Sequence, residues 1–215
     1  MSHGKKRDNV RCLILVDLQN DFFSAGALPV PEAEEVLVPA NCLQKAFDLV
    51  VATQDWHPPD HGSFALNHPH KKPGDVIQLE GLKQVLWPVH CVRGTAGAAF
   101  VETLDKERIQ RVFQKGTDPR FDSYSGFFDN GRRKATGLGD YLRGRHVVEV
   151  YVLGLATDYC VKFTALDARQ LGFEVCLILD ACRGVNLRPT DAARAVQEMR
   201  AAGVHVRTSA EILGA

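Results

Sequence analysis

Apolar positions in this 215-residue chain gather in short unbroken runs, and each run ends on polar residues. Cys12 to Val16 stops at Asp17, and Leu49 to Thr53 leads into Gln54, Asp55, Trp56 and His57. Arg111 to Gln114 is followed by Lys115 and Gly116, and Val147 to Leu153 runs into the bend Gly154-Leu155-Ala156-Thr157-Asp158-Tyr159-Cys160. Runs of this length without polar alternation are the mark of strands covered on both faces of a parallel sheet. Glu174 to Leu179 and Val204 to Thr208 continue the series. Helical stretches separate them: Glu32 to Phe47, broken or restarted at Pro39, then Glu102 to Glu107, Leu138 to Arg143, Val161 to Leu171 closed by Gly172, and Thr190 to Ala202 with Thr190 as N-cap. The alternation predicts an α/β fold, a doubly wound and mostly parallel sheet in three layers, with residues 1–215 as one domain and 1–9 as a flexible lead segment.

In such folds ligands bind beyond the carboxyl ends of the strands. Asp17, Asp55, Lys115 and Cys160 all fall at that edge, delivered by four unrelated connections. Cys160 sits where a strand gives way to a helix, so free backbone N–H groups and the helix dipole favour its thiolate. Lys115 adds a cation for the same purpose, and Asp17 can carry a proton between thiol, leaving amine and water. Gly154, Ala156 and Thr157 leave room for a substrate carbonyl beside backbone donors. A second group, Asp55 and His57 with His61 and His90, has the ligand chemistry of zinc, iron or manganese. Pro58 and Pro59 separate His57 from His61, so the two do not share a helical face. His68 and His70, beside prolines and lysines, read as solvated. The long irregular stretch from Pro58 to Gly97 and the polar loop from Asp118 to Arg133 read as functional loops.

Composition narrows the classes. Lys and Arg balance Asp and Glu at 26 each, which gives no electrostatic reason to expect nucleic acid or a membrane surface as partner. The polar start is neither a signal peptide nor a spanning helix, and a cytoplasmic protein is expected. Six scattered cysteines without a C-x-x-C pair argue for reduced thiols. No phosphate-binding glycine motif follows the first strand, which sets aside nucleotide binding.

The whole pattern resembles the nicotinamidases of the isochorismatase-like cysteine hydrolases. The matching stretches are Leu15-Val-Asp17-Leu-Gln-Asn-Asp21-Phe22, Thr53-Gln-Asp55-Trp-His57-Pro, His61-Gly-Ser63-Phe64, Trp87-Pro-Val-His90-Cys91-Val-Arg-Gly-Thr, Lys115-Gly, Tyr124-Ser-Gly-Phe127 and Gly154-Leu-Ala-Thr-Asp158-Tyr-Cys160-Val, in order along the chain. The resemblance implies the isochorismatase-like hydrolase fold and an amidase that converts nicotinamide to nicotinate and ammonia, with pyrazinamide also accepted. It implies a triad of Asp17, Lys115 and Cys160, and one divalent metal held by Asp55, His57 and His90, zinc first, with iron or manganese as alternatives. His61 or Ser63 is a further ligand or support for that ion. Backbone N–H groups of Ala156 and Cys160 serve as oxyanion donors, after a cis peptide between Leu155 and Ala156. Phe22, Trp87 and Tyr124 wall the substrate ring, Leu155 and Tyr159 also contact the substrate, and Tyr159 stands where some relatives carry His. A small molecule is the expected partner, and a homo-oligomer remains open. Another small-amide or N-carbamoyl amidohydrolase of the same superfamily is the alternative, and a non-catalytic binding module is a distant third.

Overall fold

Six of the apolar runs pair side by side. The structure is a computed structural model describing residues 10–214, so the expected lead segment lies outside the described residues. Its strands are β1 (Val10–Val16), β2 (Leu49–Asp55), β3 (Val76–Leu79), β4 (Leu82–Val85), β5 (Arg111–Lys115), β6 (Val147–Leu155), β7 (Glu174–Arg183) and β8 (His205–Arg207). One sheet has the order β5-β2-β1-β6-β7-β8 with every neighbouring pair parallel, while β3 and β4 form a separate antiparallel ribbon. Leu13, Ile14, Leu15, Val150, Val152 and Leu153, on the two central strands, are fully buried. That is why those runs carry no polar alternation.

The helices are α1 (Leu37–Leu43), α2 (Leu138–Gly144), α3 (Lys162–Gln170), α4 (Asp191–Ala201) and α5 (Ser209–Leu213). From β1 the chain winds outward through β2 to β5, and from β6 it winds the other way through β7 to β8. Right-handed crossovers in opposite directions put α1 and α3 on opposite faces of the sheet. The winding reverses between β1 and β6, and the crevice beyond their carboxyl ends is where such sheets hold ligands. Among the described residues no helix is long and apolar enough to cross a membrane.

Several expectations shift on inspection. Pro39 does not break its helix: a 3₁₀ turn over Ala33–Val36 passes into α1, and Pro39 falls in the first α-turn, where its missing N–H costs nothing. Glu102 to Glu107 is not helical. Side chains of α1 and of the turn after it satisfy its backbone instead, with Asn41 donating to the Thr103 carbonyl and accepting from the Asp105 N–H, and Gln44 donating to the Asp105 carbonyl. Thr190 precedes α4 as expected, but its side chain makes no capping bond. His68 is half-buried and bonds the Gly62 carbonyl rather than standing in solvent. Gly172 closes α3 with φ +90° as read.

Close approach of the central strands depends on Gly154. It pairs with Val16, its φ is +124°, and a Cβ there would lie 2.2 Å from the Val16 carbonyl oxygen. The substitution Gly154→Ala is expected to cost about 2–3 kcal/mol through strain and backbone displacement. A fall in the urea midpoint at unchanged m-value measures it.

Candidate active site

Parallel register assembles the centre of the site. Asp55 ends β2 directly opposite Lys115, which ends β5, and Asp17 follows β1 in the left-handed region at φ +50°. The Lys115 ammonium, 1% exposed, lies 2.8 Å from Asp17 Oδ2, 2.5 Å from Asp55 Oδ1, 2.9 Å from the Ser123 carbonyl and 3.3 Å from Cys160 Sγ. The three expected triad residues are therefore in contact. Thr53 donates a 2.6 Å hydrogen bond to Asp17 Oδ1, while Asp17 Oδ2, paired with Lys115, receives no aligned hydrogen bond. Cys160 itself lies in a wide π-type turn, Thr157–Val161, before α3. Tyr159 and Val161 N–H groups both donate to the Ala156 carbonyl there. Such turns recur at functional positions.

Burial governs the electrostatics. It alone would lower the Lys115 pKa, but Asp17, Asp55 and Cys160 reverse this and hold the ammonium well above its ordinary value. Burial raises the Asp17 carboxyl; Lys115 opposes the rise and Asp55 adds to it. Burial also pushes the Cys160 thiol well up, with Lys115 pulling it down and Asp17 and Asp55 pushing it further up. Burial and the two carboxylates thus work against the expected thiolate, and only the Lys115 ammonium works for it. Asp55 stays ionised: burial works against this, but Lys115 and then His57 outweigh it and lower its pKa.

On the other side of Asp55 lie the imidazoles. His57 Nε2 is 3.6 Å and His90 Nε2 4.0 Å from Asp55 Oδ2. His57 Nδ1 bonds the Gly116 carbonyl at 2.9 Å, and His90 Nδ1 bonds the Pro88 carbonyl at 2.8 Å. Each ring thereby turns Nε2 toward Asp55, the arrangement of metal-binding histidines whose Nδ1–H is held by a second group; burial works to lower the His57 pKa, but Asp55 outweighs it and raises it. Ligands about 2.1 Å from one ion sit roughly 3.4 Å apart, close to the separations found here. Charge points the same way. One ammonium faces Asp17 and Asp55, buried Asp122 adds a further carboxylate, and the surplus negative charge suits a divalent cation. The residues therefore fit a divalent metal held by Asp55, His57 and His90.

His61 and Ser63 are buried next to this group but bond each other. The Ser63 N–H donates to His61 Nδ1 at 3.2 Å and Ser63 Oγ is 2.7 Å from the same atom, so the neutral ring carries its hydrogen on Nε2. That nitrogen has no hydrogen-bond partner among the described residues.

The cavity above Cys160 is lined by Phe22, Leu28, Asp55, Trp87, His90, Asp122, Tyr124, Ala156, Tyr159 and Val185. Trp87 Nε1 and Gln84 Nε2 both donate to Tyr124 Oη, at 3.3 and 3.1 Å, and Tyr159 packs edge-on to Trp87 and Tyr124. The expected walls Phe22, Trp87, Tyr124 and Tyr159 are in place. Leu155 is not one of them: its side chain is in the core, and it reaches the site only through its cis peptide to Ala156. Sequence reasoning missed several groups. Gln19 pins the Asp55 backbone by accepting from its N–H at 2.7 Å and donating to its carbonyl at 2.8 Å. Asp158 accepts the Val185 and Asn186 N–H groups and so ties the Cys160 turn to the Val185 wall. Asp122 lines the cavity from within the polar loop. Only Gln19 and Asp158 had a signal, since both sit inside the quoted motifs.

Replacing Lys115 by Met leaves two buried carboxylates without their cation. A loss of about 3–5 kcal/mol in chemical denaturation is expected. A Cβ on Gly116 would lie 2.3 Å from His57 Cε1 and displace the ring from its carbonyl partner. Gly116→Ala should weaken divalent-metal binding about ten- to a hundredfold, read by competition with a chelator.

Comparison with known proteins finds relatives over almost the whole chain. The isochorismatase domain model matches residues 11–211. A nicotinamidase of Escherichia coli (strain K12) is 52% identical over 205 residues, covering 94% of this chain and 96% of its own length. The nicotinamidase-pyrazinamidase structure from Acinetobacter baumanii superposes with a TM-score of 0.93 at 42% identity, covering 96% of this chain and all of that one. A pyrazinamidase of Pyrococcus horikoshii in complex with zinc superposes at 0.75 with 39% identity over 92% of this chain and 98% of that one. The chain belongs to the isochorismatase family, among its nicotinamidases.

Proposed function

We propose that this protein hydrolyses nicotinamide to nicotinate and ammonia through a thioester on Cys160, and that pyrazinamide is a second substrate. One observation carries the reading: Cys160 Sγ and Asp17 share the Lys115 ammonium at the floor of an aromatic cavity that also exposes Asp55 and His90. A flat amide-bearing ring fits between Phe22, Trp87 and Tyr124, with its carboxamide carbon over the thiol.

Asp17 takes the Cys160 proton as sulfur bonds the amide carbon and the carbonyl electrons move onto oxygen. Backbone N–H groups of Ala156 and Cys160 stabilise that oxyanion. Asp17 returns the proton to nitrogen as the C–N bond breaks, and ammonia leaves. A water then gives its proton to Asp17, attacks the thioester and frees nicotinate, and the proton goes back to sulfur. Lys115 keeps the pair of carboxylates and the sulfur together through both halves. A divalent ion on Asp55, His57 and His90, zinc in our reading, supplies a Lewis-acidic position for a ring nitrogen. His61, oriented by Ser63, borders that centre and supports it or joins it as a further ligand. All six cysteines are unpaired, which suits a reducing compartment, and we place the enzyme in the cytoplasm.

Ammonia release from nicotinamide, pyrazinamide and benzamide tests the assignment. The native chain should turn over the first two, and Cys160→Ala should lose about a thousandfold or more in rate while keeping its metal. Benzamide lacks the ring nitrogen and should react far more slowly; equal use would remove the metal from substrate binding.

A further inference from the structure

Asp122 is the one cavity-lining carboxylate that the mechanism above leaves without a task. It is 4% exposed and comes from the loop after β5, not from a strand end. Its Oδ2 accepts from Gln84 Nε2 at 2.8 Å and its Oδ1 from the Ser123 N–H at 2.8 Å, so both oxygens face N–H donors, as an ionised carboxylate requires. Neither donor carries a formal charge, so Asp122 has no cation of its own within its hydrogen-bonding shell. One of its oxygens lies within 4.8 Å of a ring nitrogen of His57 and of His61. It thus borders the metal-binding group and the ligand space together.

Charge counting gives this placement a meaning. Asp17, Asp55 and Asp122 bring three negative charges to the cavity, and the Lys115 ammonium with a divalent ion would bring three positive ones. With Asp122 the loaded site is electrically balanced, and without it the site would hold a net positive charge in a water-poor space, where Coulomb forces act at full reach. The amide substrate is neutral, whereas the carboxylate product is an anion. We propose that Asp122 is a specificity residue that sets the cavity's charge balance, so that neutral heteroaromatic amides are retained and anionic heteroaromatic carboxylates, the product included, are released. This inference rests on the amide-hydrolysis reading given above.

Binding to the catalytically inert Cys160→Ala protein, loaded with zinc, reads the effect without turnover. Dissociation constants are measured for nicotinamide and nicotinate by titration calorimetry, with zinc content checked in each protein. Adding Asp122→Asn should tighten nicotinate about five- to tenfold while nicotinamide changes less than twofold, because the lost charge acts on the anion and not on the neutral amide. Asp122→Glu, which keeps the charge, should hold the native ratio. Asp122→Ser, whose hydroxyl can still accept the Gln84 donor, provides a second neutral variant should the Asp122→Asn protein fail to fold. An unchanged ratio of the two constants in the neutral variants overturns the inference even where the native chain hydrolyses nicotinamide. Binding of neither ligand, with no ammonia released by the native chain, removes the substrate reading and this inference with it.

Discussion

A single buried ammonium constrains everything else in this site. Lys115 carries its charge into a place with almost no solvent, and that is tolerable only because Asp17 and Asp55 meet it there. The sheet makes the meeting unavoidable. β2 lies between β1 and β5, so the residues that end β2 and β5 stand opposite each other and the residue after β1 stands one strand away. Asp55 then divides its two oxygens, Oδ1 toward Lys115 and Oδ2 toward His57 and His90. Through that division the Lys115–Cys160 half of the site and the imidazole half share one side chain. Gln19 holds the backbone of that residue on both its N–H and its carbonyl, a degree of restraint that makes sense only where a shift would disturb both halves together.

This arrangement bears on how the sulfur is activated. A cysteine at the head of a helix is ordinarily read as a thiolate held by the dipole and a nearby cation. Here the cation is already matched by two carboxylates, and those carboxylates raise the thiol against the pull of the ammonium. In the proposed mechanism activation accordingly comes from moving the proton to Asp17 rather than from storing the charge. Asp17 suits that task, since burial lifts its own pKa and its Oδ2 has no aligned donor to give up.

Much of this was legible in the chain because strand ends are simple to find. Asp17, Asp55, Lys115 and Cys160 each follow an apolar run, and a parallel sheet sends all such ends to one edge. Loop residues had no comparable signal. Asp122 shares its polar loop with Asp118 and Asp129, and nothing in their order says that Asp122 turns inward while Asp118 pairs with exposed Arg120. Gln84 reads as one polar position of a short ribbon, yet it is buried and holds Asp122 and Tyr124 at once. Glu102 to Glu107 has helical composition, but bonds from Asn41 and Gln44, about sixty residues away, decide its backbone. Long-range partners settle such segments, and local pattern cannot name the partner.

The division between strand ends and loops is also a division of labour. In the proposed mechanism the reacting groups sit at strand ends: Asp55 and Lys115 are fixed by sheet register, and Asp17 and Cys160 follow β1 and β6 directly or within a turn. The walls and the uncompensated charge rest on Phe22, Trp87, Asp122 and Tyr124, all on connections, and the last three are cross-linked by a few side-chain bonds around Gln84. Substrate choice can therefore change with the loops while the reacting atoms keep their distances, which is how one sheet can serve many small amides. In this chain the Gln84 network makes that changeable layer rigid, because its donors satisfy both an aromatic hydroxyl and a buried carboxylate. A replacement there would alter which ring is accepted before it altered how the carbon–nitrogen bond is broken.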